Sequence, residues 1–366
     1  MKLQIPKSEL ATRLSVVSKV VSAKSAKAIL QGILFSVSEN TLTLQATDLE
    51  ISLATRVRQG IMEGEGKFVV EGKVIDEIVK SMPGDEVVLQ LEGSNLVVSS
   101  MRSRFTLPTM DPEEFPEISM DVAGEKMMLS TTLVETMLDR TVFSAAKDEV
   151  MKNLNGVYWE FEEGYFRMVT ADGFRLALAE AENTTEFTGS FLLSLDSMKD
   201  FLNAIKTAMS DDLEVIYDGR RVGFVFDGTQ MIVRVVEAEF PNYKQVLPKE
   251  VRTKVRVNRD SFISALKRVS IAAKLGSETV KLEVEEETLR ISARSSDRGE
   301  AMEELEVQKD GEDIIIGFNP KFLLEACQHI DSEEIELNFR DPNSPLQINP
   351  ADVEGYLYIV MPIRLV

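Results

Sequence analysis

Leu30-Gln31-Gly32-Ile33-Leu34-Phe35 is answered later in the chain by Leu154-Asn155-Gly156-Val157-Tyr158-Trp159, at an interval of 124 residues. Thr47-Asp48 recurs at the same interval as Ala171-Asp172, and Glu114-Phe115-Pro116 returns as Glu239-Phe240-Pro241. A period of this size leaves room in 366 residues for a third copy. The chain therefore reads as three domain-sized repeats, each large enough to bury its own core, with boundaries at 1–120, 121–248 and 249–366.

Each repeat carries the same internal pattern. Leu10, Leu14, Val17 and Val21 recur at three- and four-residue intervals and predict one buried helix face. Leu133, Met137, Leu138 and Val142 do so in the second repeat, within a helix expected over 132–147, and Phe262, Leu266, Val269 and Ala273 in the third. Second helices are expected near 73–81, 196–209 and 320–330, with Ser130 and Ser194 as caps and Pro320 in a first turn. Short alternating runs such as Ile51–Val57, Val157–Phe161, Val222–Phe226 and Ile335–Phe339 read as strands, separated by turns at Gly93-Ser94-Asn95, Asp218-Gly219-Arg220 and Glu285-Glu286-Glu287. Acidic, proline-bearing stretches at 111–124 and 240–254 read as linkers. Every repeat thus splits into two helix-plus-antiparallel-sheet halves, an α+β pattern with helices on one sheet face.

Composition narrows the function. The chain has 44% hydrophobic and 28% charged residues, lacks a long apolar run, and starts without the apolar core of a secretory signal, so a cytoplasmic protein with no membrane contact is expected. The single cysteine, Cys327, excludes an internal disulfide framework. A net charge of -20 opposes general nucleic-acid binding, but the charge is uneven: the predicted helices carry a positive excess and the remainder is more acidic still. A weakly positive helix layer could follow a phosphate backbone without reading bases. Three globules of roughly 30 Å close no useful ring, whereas six leave a hole of about 30 Å, enough for duplex DNA with a layer of water. Only a dimer of this chain supplies six.

No catalytic or metal site is expected, and no cofactor. Asp172 matches Asp48 and reads as a repeated turn; Glu285-Glu286-Glu287 reads as a solvated turn; His329 and Cys327 lie two apart on a helix and point in different directions. There is no glycine-rich phosphate loop, helix-turn-helix or zinc-ligand cluster.

The stretches Leu154-Asn155-Gly156, Thr170-Ala171-Asp172-Gly173-Phe174-Arg175-Leu176, Glu239-Phe240-Pro241-Asn242-Tyr243 and Tyr358-Ile359-Val360-Met361-Pro362-Ile363-Arg364-Leu365, in this order, resemble the bacterial replicative sliding clamp family, the beta subunit of DNA polymerase III, along essentially the whole chain. The resemblance implies a DNA clamp fold of three similar domains, a homodimer forming a head-to-tail dimeric ring, and a non-catalytic processivity role on double-stranded DNA without sequence specificity. It implies partners that bind through a short apolar motif: the replicative polymerase, the clamp loader and other clamp-binding-motif proteins, including repair proteins. The alternative is a peptide-binding scaffold that shares the cleft but closes no ring.

Carried over position by position, the resemblance places the partner-binding cleft at Leu154, Gly173, Phe174, Arg175, Leu176, Pro241, Val246, Asn319, Phe322, Val360, Met361, Pro362, Ile363 and Arg364. Aliphatic walls there would bury a leucine or phenylalanine, Met361 would adapt to different ligands, and Arg175 and Arg364 would complement acidic or carbonyl groups at the rim. Lys24, Lys147 and Lys152 fall at DNA-facing positions. Lys73, Arg104, Phe105 and Leu107 would meet Ile271, Glu300, Glu303 and Glu304 across the dimer interface, extending an uncapped sheet edge. Phe174, Gln245, Asn343, Pro345, Asp148 and Asn153 depart from the family pattern and bear on which motifs bind best and how lightly DNA is held.

Overall fold

In the computed structural model, residues 1–21, 25–273, 279–295 and 299–365 are described. The element order states the repeat directly. Strand Lys2–Pro6 leads into helix α1 (Lys7–Val20), followed by Gly32–Ser38, Thr41–Thr47, Ile51–Val57 and Gly66–Glu71; helix α2 (Gly72–Ser81) then precedes Glu86–Glu92, Asn95–Ser100 and Ser103–Pro108. The same succession recurs around α3 (Thr131–Asp139) and α4 (Leu195–Ile205), and again around α5 (Arg259–Ala273) and α6 (Pro320–Gln328). Short strands Ile61–Glu63 and Gln308–Gly311 are additions that the sequence reading did not anticipate.

The chain divides into two compact units that do not coincide with the three repeats. One unit holds residues 1–135, 185–187 and 196–235, the other 136–184, 188–195 and 236–366. The reason is sheet continuity. In the first unit, Ile51–Val57 of the first repeat pairs antiparallel with Thr229–Arg234 of the second, producing one eight-stranded sheet. In the second unit, Arg175–Ala181 pairs with Tyr356–Val360 from the end of the chain, producing a nine-stranded sheet. Each unit also has a smaller sheet, five-stranded in the first and four-stranded in the second.

Local sequence explains the recurring elements. Gly32 and Gly156 each open a strand with ordinary backbone angles; a Cβ would lie 2.3 Å from Val69 Cγ1 at the first and 2.5 Å from the Leu193 carbonyl oxygen at the second. Close strand approach, not turn geometry, requires glycine there. The Asp turns are superimposable in bonding. Asp48 Oδ1 accepts from Glu50 and Ile51 N–H at 2.9 and 2.8 Å, Asp172 Oδ1 from Phe174 and Arg175 at 3.0 and 3.1 Å, and Asp218 Oδ1 from Arg220 and Arg221 at 2.9 and 2.7 Å. Such side-chain bonding to the backbone two and three residues on is what makes Asp a turn former, and it accounts for Asp172 without chemistry.

The predicted helix faces are buried in α1 and α5, where Leu10, Leu14, Val17, Phe262, Leu266, Val269 and Ala273 are all inaccessible. The second repeat requires a correction. Helix α3 stops at Asp139 and Val142 belongs to a separate 3-10 turn, while Val134, not Leu133, is fully buried. Thr141 and Ser144 explain the stop: their buried hydroxyls donate to the Met137 and Thr141 carbonyls at 2.7 and 3.3 Å, and Ser144 also bonds the Thr170 hydroxyl at 2.6 Å. Side-chain hydroxyls here compete with the helical ladder. Ser130 caps α3 through the Leu133 N–H at 3.1 Å, and Asn319 with Pro320 opens α6. The linkers are not loose. Phe115 is buried against Leu30, Leu34 and Val69, and Phe240 against Leu176, Leu178 and Ile359, so each linker seats its phenylalanine on the sheet. The second linker ends early, since strand Thr253–Asn258 begins within it.

Candidate functional site: an apolar depression on the nine-stranded sheet

The depression lies within the second unit and has a volume of about 170 Å³. Its floor comes from adjacent strands. Ala171, Leu176 and Ile359 are successive cross-strand partners, so alternation points all three to one face. Leu154, Gly173 and Arg175 border one side; Phe240, Pro241, Asn242, Tyr243 and Val246 of the linker border another, with Met361 at the mouth.

Aromatic packing fixes the linker wall. The Phe240 ring stacks on Tyr158 at 4.8 Å and 4°, and Tyr243 meets Tyr158 edge-on at 6.4 Å. The Tyr243 hydroxyl donates to the buried Glu160 carboxylate and accepts from Arg167 at 3.2 Å. Burial and the Glu160 charge push this phenol above its ordinary pKa, so it remains a donor at neutral pH. Lys244 reaches Tyr165 at 3.0 Å and Glu160 at 2.9 Å, which raises its pKa. The result is a wall held at several points, which lowers the ordering cost of binding.

Arg175 is the structural node. Only 5% exposed, it donates to Asp172 at 2.9 Å, to Glu325 on α6, to the Tyr358 hydroxyl at 3.3 Å and to the Phe143 carbonyl at 3.0 Å. Its guanidinium also lies 4.6 Å from the Phe322 ring centre. Burial opposes its charge, but Tyr358 and Glu325 outweigh that and hold its pKa above the ordinary value. The expectation that Arg175 serves acceptors at the rim is therefore corrected: its donors are spent inward, tying the strand to α6 and the chain terminus.

After Val360 the chain is pinned by Met361 N–H donating to the Phe174 carbonyl at 2.8 Å and Ile363 N–H to Gly317 at 2.8 Å. A Cβ on Gly317 would stand 2.7 Å from Leu365 Cδ2, so the terminal segment packs directly on that glycine.

Of the residues predicted for the cleft, Leu154, Gly173, Arg175, Leu176, Pro241, Val246 and Met361 line this depression together. Val360 does not: it is fully buried, because strand alternation sends it to the face opposite Ile359. Phe174, 63% exposed, stacks at 6.5 Å with Phe322 beside the depression, and Asn319 caps α6. Pro362, Ile363 and Arg364 belong to the pinned terminal segment outside the lining. Ala171, Phe240, Asn242, Tyr243 and Ile359 were missed. Phe240 had a usable signal in its repeat partner Phe115, and Ile359 in its alternation with Tyr358.

Lys147 and Lys152 are exposed on a loop closed by Ala146 N–H donating to Leu154 O at 3.1 Å. Lys24 lies outside the described residues. Six of the predicted interface residues lie on outer strands of sheets, and Lys73 and Ile271 lie on helices α2 and α5. Ser103–Pro108, with Arg104, Phe105 and Leu107, is the outer strand of the five-stranded sheet; Gly299–Glu306, with Glu300, Glu303 and Glu304, is the outer strand of the four-stranded one. Phe105 is 43% exposed and Ile271 67%. Lys73 is exposed at the start of α2. Arg104 pairs with Glu92, Glu303 with Arg268 and Glu304 with Arg290 inside the chain, so salt-bridge exchange would be needed for these charges to serve a second subunit.

Among the described residues there is no group of three or more His, Cys, Asp or Glu suited to a metal ion, and no helix long and apolar enough to cross a membrane. Cys327 is buried, which pushes its thiol up to about 12. His329 stacks on Phe143 at 4.0 Å.

Comparison with known proteins matches three models of the DNA polymerase III beta subunit: its N-terminal domain over residues 1–119, central domain over 128–242 and C-terminal domain over 244–364. The chain is 31% identical to the beta sliding clamp of Caulobacter vibrioides, over the full length of both. The solved DNA polymerase III beta subunit of Thermotoga maritima is 46% identical, with a TM-score of 0.96 and complete coverage of both chains. The Pseudomonas aeruginosa sliding clamp bound to griselimycin is 27% identical, with a TM-score of 0.92 and complete coverage.

Proposed function

Because the chain belongs to the bacterial DNA polymerase III beta subunit, or sliding clamp, family, we propose that it works as a head-to-tail dimer that encircles duplex DNA and tethers a polymerase to it. Three domains per chain, divided near residues 120 and 248, form half of that ring. Retention comes from topology, so contact with DNA is light: Lys147 and Lys152 on their exposed loop touch phosphates without reading bases. Reversible electrostatic contact of this kind permits sliding.

The observation that carries the reading of partner recruitment is the apolar depression with its pinned walls. It takes the apolar residues of a linear motif from a polymerase, clamp loader or repair protein. Full burial of one such side chain contributes roughly 1.5–3 kcal/mol, and Met361, 41% exposed, adapts to different occupants. Ring closure uses two of the outer strands: Ser103–Pro108 of one subunit pairs with Gly299–Glu306 of the other, and Phe105, Leu107 and Ile271 are buried on assembly.

The test is primer extension on circular single-stranded template, with polymerase and loader supplied. Product length per binding event should rise sharply with the protein present. Replacing Met361 and Pro362 by alanine and glycine should abolish that gain while the dimer persists in sedimentation. An unchanged gain would remove the depression from the account.

A further inference from the structure

The two outer strands assigned to ring closure differ in one respect. In Ser103–Pro108, Phe105 and Leu107 oppose Val98 and Leu96, both fully buried, so they continue the core-facing row of the five-stranded sheet. In Gly299–Glu306 the corresponding row is Ala301, Glu303 and Leu305, opposite Ala293, Ile291 and Leu289, all buried. A carboxylate thus stands at the centre of a row that is apolar on either side and on the neighbouring strand. The strand buries none of its own residues fully.

Helix α5 answers this carboxylate from the same chain. Arg268 Nε and Nη2 donate to the two Glu303 oxygens at 2.8 Å each, a bidentate pair. These bonds hold the Glu303 carboxyl below its usual range, so both groups are charged at neutral pH. The Glu303 side chain is 29% exposed and that of Arg268 57%, so water still reaches both. Ile271, three residues further along α5 and exposed, lies on the same side of the helix as Arg268. Covering Ile271 with a second subunit therefore takes water from the ion pair beside it.

We infer that Arg268 and Glu303 stay paired within their own subunit when the ring closes, and that this charged step in an otherwise apolar seam limits how tightly two copies of the chain associate. Withdrawing an ion pair from water costs free energy, and its internal attraction, already present in the free subunit, is no new gain. The same charge, pointing inward on an outer strand, opposes pairing with unrelated strands. Closure is then selective and reversible, as a ring that opens to admit DNA requires. The inference rests on the proposed pairing of the two outer strands. It differs from the expectation that Glu303 answers a basic group across the interface, because both of its oxygens are already engaged by Arg268.

Sedimentation equilibrium on the full-length protein tests it with three double variants. Arg268→Met with Glu303→Leu removes both charges and should tighten self-association about tenfold. Arg268→Glu with Glu303→Arg reverses the pair inside the subunit and should leave the dimer constant within about twofold. A Glu303 that served basic groups of a second subunit would repel them after the reversal, and association would fall about tenfold or more. Equal or weaker association of the apolar variant, or loss of association on reversal, overturns the inference. If the apolar variant does not fold, as read by circular dichroism, the reversal decides alone. Phe105→Ala with Leu107→Ala separates the two levels of the argument. If it leaves association unchanged, the pairing of these strands is wrong and the inference falls with it; if it weakens association while either charge variant departs from expectation, only the inference falls.

Discussion

Single residues carry both the clearest signals and the clearest misses. The Asp48 and Asp172 turns were legible because a turn is decided by a few adjacent residues. Their comparison exposes a strain: Gly173 has φ 89°, while the matching Leu49 is held at φ 81° with half its surface exposed. A bulky residue in the left-handed region costs of order 1–3 kcal/mol, partly offset by the entropy glycine would lose. Leu49→Gly should therefore raise stability by about 1 kcal/mol in urea unfolding. Arg175 was predicted by position but not by role, since its partners Glu325, Phe143 and Tyr358 are remote in sequence. Arg175→Ala leaves the half-buried Asp172 and Glu325 carboxylates and the buried Tyr358 hydroxyl unmatched and should cost about 2–3 kcal/mol. Asp200 had no sequence signal. Burial, then Asp196 and Asp48, raise its pKa from 3.8 to about 6. The folded state thus holds that proton more tightly than the unfolded state, so the contribution is complete below about pH 3.8 and is lost as pH rises through 6. Asp200→Asn should stabilise the protein at pH 7.5 by on the order of 1 kcal/mol, after discounting for solvent screening, and the difference should vanish near pH 4 in thermal melts.

Secondary-structure elements were legible where periodicity is strong and a turn marks each end. Strand Ile51–Val57 and helix α5 followed from their apolar spacing, and the halves of each repeat followed from their order. Helix α3 was overextended because apolar spacing continues past Asp139 while Thr141 and Ser144 break the ladder. Short strands such as Gln308–Gly311 have almost no apolar residues and become strands only by pairing with Thr253–Asn258. The linkers looked like spacers because proline and acidic residues dominate them; only the repeated phenylalanine hinted that they seat on the sheet. The free edge strands make a prediction at this scale. An exposed edge invites pairing unless it is used. Phe105→Ala with Leu107→Ala should weaken self-association at least tenfold in sedimentation equilibrium, with the monomer's circular dichroism intact. Unchanged association would place the interface elsewhere.

At the scale of the whole molecule, three sequence repeats fold into two compact units because sheets run across repeat boundaries, Ile51–Val57 onto Thr229–Arg234 and Arg175–Ala181 onto Tyr356–Val360. Such pairing between residues nearly two hundred positions apart leaves no mark on local periodicity. It also creates the depression, whose lining includes Ile359 and Met361 from the last strand and the residue just after it. The proposed ring depends on a second copy meeting the outer strands Ser103–Pro108 and Gly299–Glu306, and its consequence is physical: an encircling protein leaves DNA only by opening or by running off an end. Retention measured on nicked circular duplex, before and after cutting at one site, tests this most directly. Protein loaded on the circle should survive gel filtration in high salt and be lost at once when the circle is cut; equal retention on circular and linear DNA would contradict encirclement.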